Sequence, residues 1–153
     1  MNLKEEVEIE ASQDVVFKVM LELEKFPEFM EDVKKITIIS EEGNRRISEW
    51  ESEIDGLIFK WQEEDIYYPE EYRLTYKLVK GDLDKFEGYW KVIKISDNKS
   101  KLILFLDFDL NIPTLKSLVM PTIKFKVKKN LASMIKAIKN RAESIYKQII
   151  KNT

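Results

Sequence analysis

IKFKVKKNLASMIKAIKNRAESIYKQII, residues 123–150, places apolar side chains at Ile123, Val127, Leu131, Met134, Ile138, Ala142, Ile145 and Ile149, with lysines filling much of the remainder. Steps of three and four residues are the period of a helix with one buried stripe. Such a helix is roughly 40 Å long at about 1.5 Å per residue, enough to cross a whole sheet. The residues before it supply that sheet. Six β-like runs, 33–40, 45–54, 57–67, 71–79, 86–95 and 101–110, are separated by the turn signals EEGN, DG, YPEE, KGD and SDNK. Asp55-Gly56 is the strongest hairpin signal, and the short polar connections predict an antiparallel meander. Residues 3–10 alternate apolar and acidic side chains and add a seventh strand. It runs into Ser12, a helix N-cap, and a stripe of Val15, Val16, Val19, Met20 and Leu23. FPEFMEDV (26–33) then predicts a second helix of about two turns, with Pro27 where a missing N–H is tolerated. NIPTLKSLVMP (111–121) reads as a loop between Pro113 and Pro121 with an apolar middle.

The chain has 153 residues, 44% of them hydrophobic, a size that suits one domain over 1–153. No apolar run approaches the roughly 20 residues of a membrane-spanning helix, and the charged start lacks a secretory apolar stretch, so a cytoplasmic location is expected. There is no cysteine and no histidine. Disulfides, thiol nucleophiles and His-based triads are therefore excluded, and any catalysis has to rest on carboxylates, lysines or tyrosines. The richness in Lys, Glu and Ile is compatible with a heat-adapted source. Charge is divided unevenly: residues 1–112 carry 16 Lys/Arg against 27 Asp/Glu, and 113–153 carry 10 against the single Glu143. A basic segment of this kind either meets an anionic partner or neutralises an acidic sheet within the same molecule.

Side chains alternate across a strand, so each run can be phased. The inward phases collect Ser48, Trp50, Ser52 and Ile54; Leu57, Phe59, Trp61, Glu63 and Tyr67; Tyr72, Leu74, Tyr76 and Leu78; Phe86, Gly88, Trp90 and Val92; and Leu102, Leu104, Leu106 and Phe108. All three tryptophans face the long helix. A core built for stability alone prefers Leu, Ile and Val, because buried Trp and Tyr carry polar atoms that need partners. Aromatic walls with a few polar groups instead describe a small-molecule cavity, although a merely bulky core has the same pattern. Gly88, a glycine inside an aromatic strand, marks a bend or a close approach.

The order strand, two helices, six strands, long helix resembles the helix-grip fold of the START/SRPBCC superfamily, an α+β class with a curved seven-stranded antiparallel sheet wrapped around the C-terminal helix. The resemblance covers nearly the whole chain. EKFPEFM (24–30), GDLDKFEGYWKV (81–92) and LDFDL (106–110) are similar to its polyketide cyclase and coenzyme-Q-binding branch. The resemblance implies a small hydrophobic ligand, such as a lipid, isoprenoid quinone or polyketide-like molecule, held between sheet and helix. By the same resemblance Gly88 lets the sheet bend and leaves room beside Trp90. An aromatase/cyclase-like enzyme using Glu63 is the alternative, and a third is ribosome or RNA interaction through the basic C-terminal helix, the ribosome contact being implied by bacterial relatives.

The expected ligand-binding residues are Ser48, Trp50, Ser52, Phe59, Trp61, Glu63, Tyr76, Gly88, Trp90, Leu104, Phe108, Val127, Leu131 and Met134. Glu63 and Tyr76 are the catalytic candidates, since a glutamate buried among Phe59 and Trp61 holds its proton and can serve as a general acid. Leu115, Leu118 and Met120 with Lys124, Lys126, Lys128 and Lys129 are expected to form an apolar and basic surface for a membrane or another anionic partner. The acidic pairs Asp82/Asp84 and Asp107/Asp109 lack EF-hand spacing, so no metal and no cofactor are expected. No DNA partner is expected either.

Overall fold

The computed structural model describes residues 1–54, 56–109 and 116–153, with side chains in the last segment from Met120 onward. The alternating start forms strand β1 (Asn2–Ile9). Ser12 caps helix α1 (Gln13–Leu21), its Oγ accepting the Val15 N–H at 3.3 Å. A 3-10 turn (Leu23–Lys25) leads to α2 (Phe26–Phe29), a single turn rather than two. It stops because Met30 turns extended and, like Phe26, is buried, so both ends of the turn are held on the core. The remaining strands are β2 (Val33–Glu42), β3 (Arg45–Ile54), β4 (Leu57–Tyr68), β5 (Arg73–Gly81), β6 (Lys85–Ser96) and β7 (Lys99–Asp109). They form one seven-stranded sheet in the order β1-β7-β6-β5-β4-β3-β2, every neighbouring pair antiparallel. Extra residues in β2, β5 and β6 shift the register and kink and twist the strands, which helps the sheet curve.

The long helix α3 runs from Lys116 to Lys151 and begins earlier than its apolar period suggested. Pro121, expected to bound a loop, lies inside it. Met120 is only 5% exposed and belongs to the hydrophobic core, so its burial favours helix where the proline argued for loop. Leu115 and the expected loop residues 111–115 lie outside the described residues, as does the side chain of Leu118. Along its length α3 rests chiefly on β1 and α1 and touches β3 and β7 far less. Ile138 and Ala142 are fully buried there, while Leu131 and Met134 lie nearer the helix start. No described helix is long and apolar enough to cross a membrane.

The expected inward phases are buried at Ser48, Trp50, Ser52, Trp61, Glu63, Leu74, Tyr76, Trp90, Val92, Leu102, Leu104, Leu106 and Phe108. Leu57 carries the inward phase and yet is 64% exposed, because it opens β4 at the end of the β3–β4 hairpin.

Gly88 answers a specific demand. It pairs with Tyr76 on β5 and with Leu106 on β7. The Tyr76 hydroxyl reaches past this strand to donate to the Phe105 carbonyl on β7 at 2.6 Å. A Cβ on Gly88 would sit 2.0 Å from the Phe105 oxygen and 2.7 Å from the Tyr76 hydroxyl. The glycine therefore permits a close backbone approach and a cross-strand bond, rather than leaving room beside Trp90. Gly88→Ala is expected to lower the unfolding free energy, measured by urea titration, by about 3 kcal/mol, at the upper end of overpacking costs. Adding Tyr76→Phe should recover little of that loss, because the nearest obstacle is a backbone oxygen.

Candidate functional site

Between the concave sheet and the first turns of α3 lies a cavity of about 500 Å³. Trp50 and Ser52 of β3, Phe59, Trp61 and Glu63 of β4, and Tyr76 of β5 line one side. Trp90 of β6, Leu104 and Phe108 of β7, and Val127, Leu131 and Met134 of α3 line the rest. Two expected wall residues do not reach it. Gly88 has no side chain and sits beneath the Tyr76 hydroxyl, and Ser48 lies behind Trp50, accepting its indole N–H at 2.9 Å. Sequence reasoning did not place Ile54, Leu57, Leu83, Phe86, Leu106, Thr122, Ile123, Lys126 or Asn130 on the wall. Ile54, Leu57, Phe86 and Leu106 carried the inward phase, and Ile123 belongs to the helical stripe. Leu83 sits in a turn, where no periodicity exists to phase it.

The aromatic wall is continuous. Trp50 and Trp61 stack at 5.5 Å between ring centroids, Trp61 meets Phe86 at 5.1 Å, and Phe86 meets Tyr76 at 5.4 Å. Behind it runs a polar chain that begins at Glu63, 3% exposed and accepting the Trp61 indole N–H at 2.8 Å. Asp65, two residues along the same face of β4, is fully buried and accepts the Ser48 hydroxyl at 2.5 Å. Parity alone would have found Asp65. Arg46 of β3, also buried, donates to the Leu21 carbonyl at 3.0 Å and lies 5.2 Å from the Tyr67 ring centroid.

Burial pushes the Glu63 carboxyl well above its ordinary range, and the charge and hydrogen bond of Asp65 push the same way, outweighing the Trp61 N–H and Arg46. Asp65 is raised too, first by burial, against the hydrogen bonds of Glu63 and Ser48 and the charge of Arg46. Two neighbouring buried carboxyls near one guanidinium both hold their protons more tightly than ordinary carboxyls do, Glu63 the more strongly. Tyr76 is raised well above its ordinary value by burial and by both acids, so it stays a neutral phenol.

A model of the family described as polyketide cyclase / dehydrase and lipid transport matches residues 9–135, from the end of β1 to the middle of α3. The chain belongs to this family. No curated protein matches it significantly. Among solved structures, the Thermus thermophilus protein TTHA0849 superposes with a TM-score of 0.90 at 23% identity, covering 95% of this chain and 99% of that one. The Zhui aromatase/cyclase of a Streptomyces species gives 0.86 at 16% identity, covering 94% and 93%. A START superfamily protein from Mycobacterium smegmatis gives 0.81 at 21%, covering 94% and 98%. At these identities the likeness is one of fold, the helix-grip architecture.

The lysines expected to form one anionic-surface face diverge. Lys128 pairs with Glu5 of β1 at 3.0 Å, Lys126 turns to the cavity wall, and Lys129 lies 5.6 Å from the centroid of the exposed Phe125 ring. Lys124 is exposed, whereas Met120 is buried and is not part of any outer surface. The acidic pairs act structurally: the Asp82 carboxylate accepts the Lys60 N–H at 2.8 Å and Asp107 pairs with Lys85 at 2.7 Å.

A carboxyl raised on folding binds its proton more tightly in the native state, so its contribution to stability is complete below the ordinary value of 4.5 and is lost as pH rises through the native value. Unfolding free energies of wild type and Glu63→Gln, measured against pH, should therefore diverge above about 4.5. In that window the wild type should lose up to about 1.4 kcal/mol more per pH unit, the slope of one proton.

Proposed function

We propose that this family member binds one small hydrophobic molecule in the cavity between the sheet and α3, as a carrier rather than a catalyst. The observation that carries the reading is the cavity itself: about 500 Å³, within the range of small-molecule sites, walled by aromatic rings and ended by one buried acid, Glu63. Trp50, Phe59, Trp61, Trp90, Leu104, Phe108, Val127, Leu131 and Met134 supply apolar contact, and Glu63, Tyr76 and Ser52 supply the polar points. Family descriptions that name lipid transport, and a solved fold relative that is an aromatase/cyclase, agree with a hydrophobic occupant. Docking to a membrane or a ribosome has weaker support, since Met120 is buried and Lys128 is paired within the molecule.

A second reading has one observation of its own. Burial raises the Glu63 carboxyl well above its ordinary range inside an apolar cavity beside the neutral Tyr76 phenol, the direction a general acid acting on a ligand carbonyl needs. On this reading the protein is a cyclase-like enzyme without a metal.

Native mass spectrometry of protein purified from its host, followed by organic extraction, should find a lipid, quinone or other hydrophobic molecule bound one to one. A protein that arrives empty and gains no thermal stability from a panel of such molecules would overturn the carrier reading. For the enzyme reading, Glu63→Gln should abolish turnover of a poly-keto substrate while binding persists, and equal turnover in the variant would dismiss it.

A further inference from the structure

Beyond hydrophobicity, the charges behind the wall select among ligands. Two buried carboxyls, Glu63 and Asp65, share one buried cation, Arg46. That cation is turned partly away: one of its N–H groups goes to the Leu21 carbonyl, and its Nε and second terminal nitrogen have no hydrogen-bond partner among the described residues. Asp65 Oδ1 also lacks a donor, although the residue is fully buried. Among the groups behind the wall the carboxyls outnumber the cation by one, and in the empty protein a proton on the pair makes up the difference.

The wall's hydrogen-bond donors are largely committed elsewhere. The indole N–H of Trp50 goes to Ser48 and that of Trp61 to Glu63. The Tyr76 hydroxyl goes to the Phe105 carbonyl and the Ser52 hydroxyl to the Asp32 carbonyl. Glu63 thus presents carboxyl oxygens to the cavity beside the rings of Trp61, Phe86 and Tyr76. Ring faces next to a carboxylate are the chemistry that holds an organic cation. Facing Glu63 are Asp65 on its own strand, Arg46 and Ser48 from β3 and Tyr76 from β5; on the helix side of the cavity stand Lys126 and Asn130, the latter tied to Asp32 at 3.1 Å.

We infer that the preferred occupant is a lipophilic amine, whose ammonium group docks against Glu63 and replaces the proton shared by the Glu63–Asp65 pair. This deepens the carrier reading and rests on it. The exchange balances: the ligand enters as R–NH3⁺, the Glu63 O–H proton leaves to solvent, and an ammonium–carboxylate pair remains. Affinity should rise with pH, because the bound state has fewer protons than the sum of its free parts, until Glu63 is ionised in the empty protein or the amine itself deprotonates.

The test uses decylamine, decanol and decanoate, which share a chain length and differ in the end group. Isothermal titration of the full chain at neutral pH, in phosphate and in Tris, reads both affinity and protons exchanged. Decylamine should bind about tenfold or more tighter than decanol, as expected for a desolvated cation at an aromatic and carboxylate site. It should also release close to one proton, seen as a difference in heat between the buffers. Glu63→Gln keeps an acceptor for Trp61 and places an amide N–H beside Asp65; it should remove the advantage of decylamine over decanol and abolish the proton release. Equal binding of amine and alcohol, tightest binding of decanoate, or amine binding without proton release in the wild type would overturn the inference while the carrier reading stands. If none of the three binds, the cavity reading fails and the inference with it.

Discussion

The placement of α3 governs the rest of the structure. The helix is held at one side of the sheet, where its apolar stripe meets β1 and α1, and its contact with β3 and β7 is slight. Ion pairs reinforce that side: Lys128 with Glu5, and Lys139 with Glu143 and the Glu8 carbonyl. A rigid rod anchored along one edge of a concave surface cannot also fill the hollow beyond it. The hollow is bounded by β3 through β7, and their side chains there are Trp, Tyr and Phe, long enough to reach one another but not to close the gap. The pair of Lys128 with Glu5 thus joins the basic segment to the acidic edge strand.

The polar chain behind the rings is hard to explain by stability. Burying two carboxyls and a guanidinium carries a desolvation penalty that well-packed apolar residues would avoid. Several of these groups do have partners, Ser48 for Asp65, Trp61 for Glu63 and the Leu21 carbonyl for Arg46, so the network is ordered. It is not fully satisfied, since Arg46 Nε and Asp65 Oδ1 have no partners among the described residues. Polar groups left short in a buried site are where a structure departs from what folding alone requires.

Gly88 belongs to the same logic. The bond from Tyr76 to the Phe105 carbonyl ties β5 to β7 across β6, and it exists only because β6 has no side chain at the crossing. The tie holds the Tyr76 ring against Phe86, and so fixes one end of the aromatic wall.

Much of this was legible in the sequence, and the reason is that periodicity is local. A period near 3.6 in 123–150 and a period of two in each strand define helix, strands and inward faces from covalent geometry alone. Short polar connections permit little besides antiparallel neighbours. Trp50, Trp61, Glu63, Tyr76 and Trp90 could therefore be assigned to the concave face before any contact was known. The early start of α3 was not legible, because Pro121 argued for a loop and the burial of Met120 depends on distant residues. Nor was the removal of Ser48 and Gly88 from the wall, or the entry of Lys126 and Asn130 into it. Parity says which way a side chain leaves its strand. Whether it then meets a cavity, a neighbouring ring or a buried charge depends on groups far apart in the chain, and only the packing of α3 against the sheet brings those together.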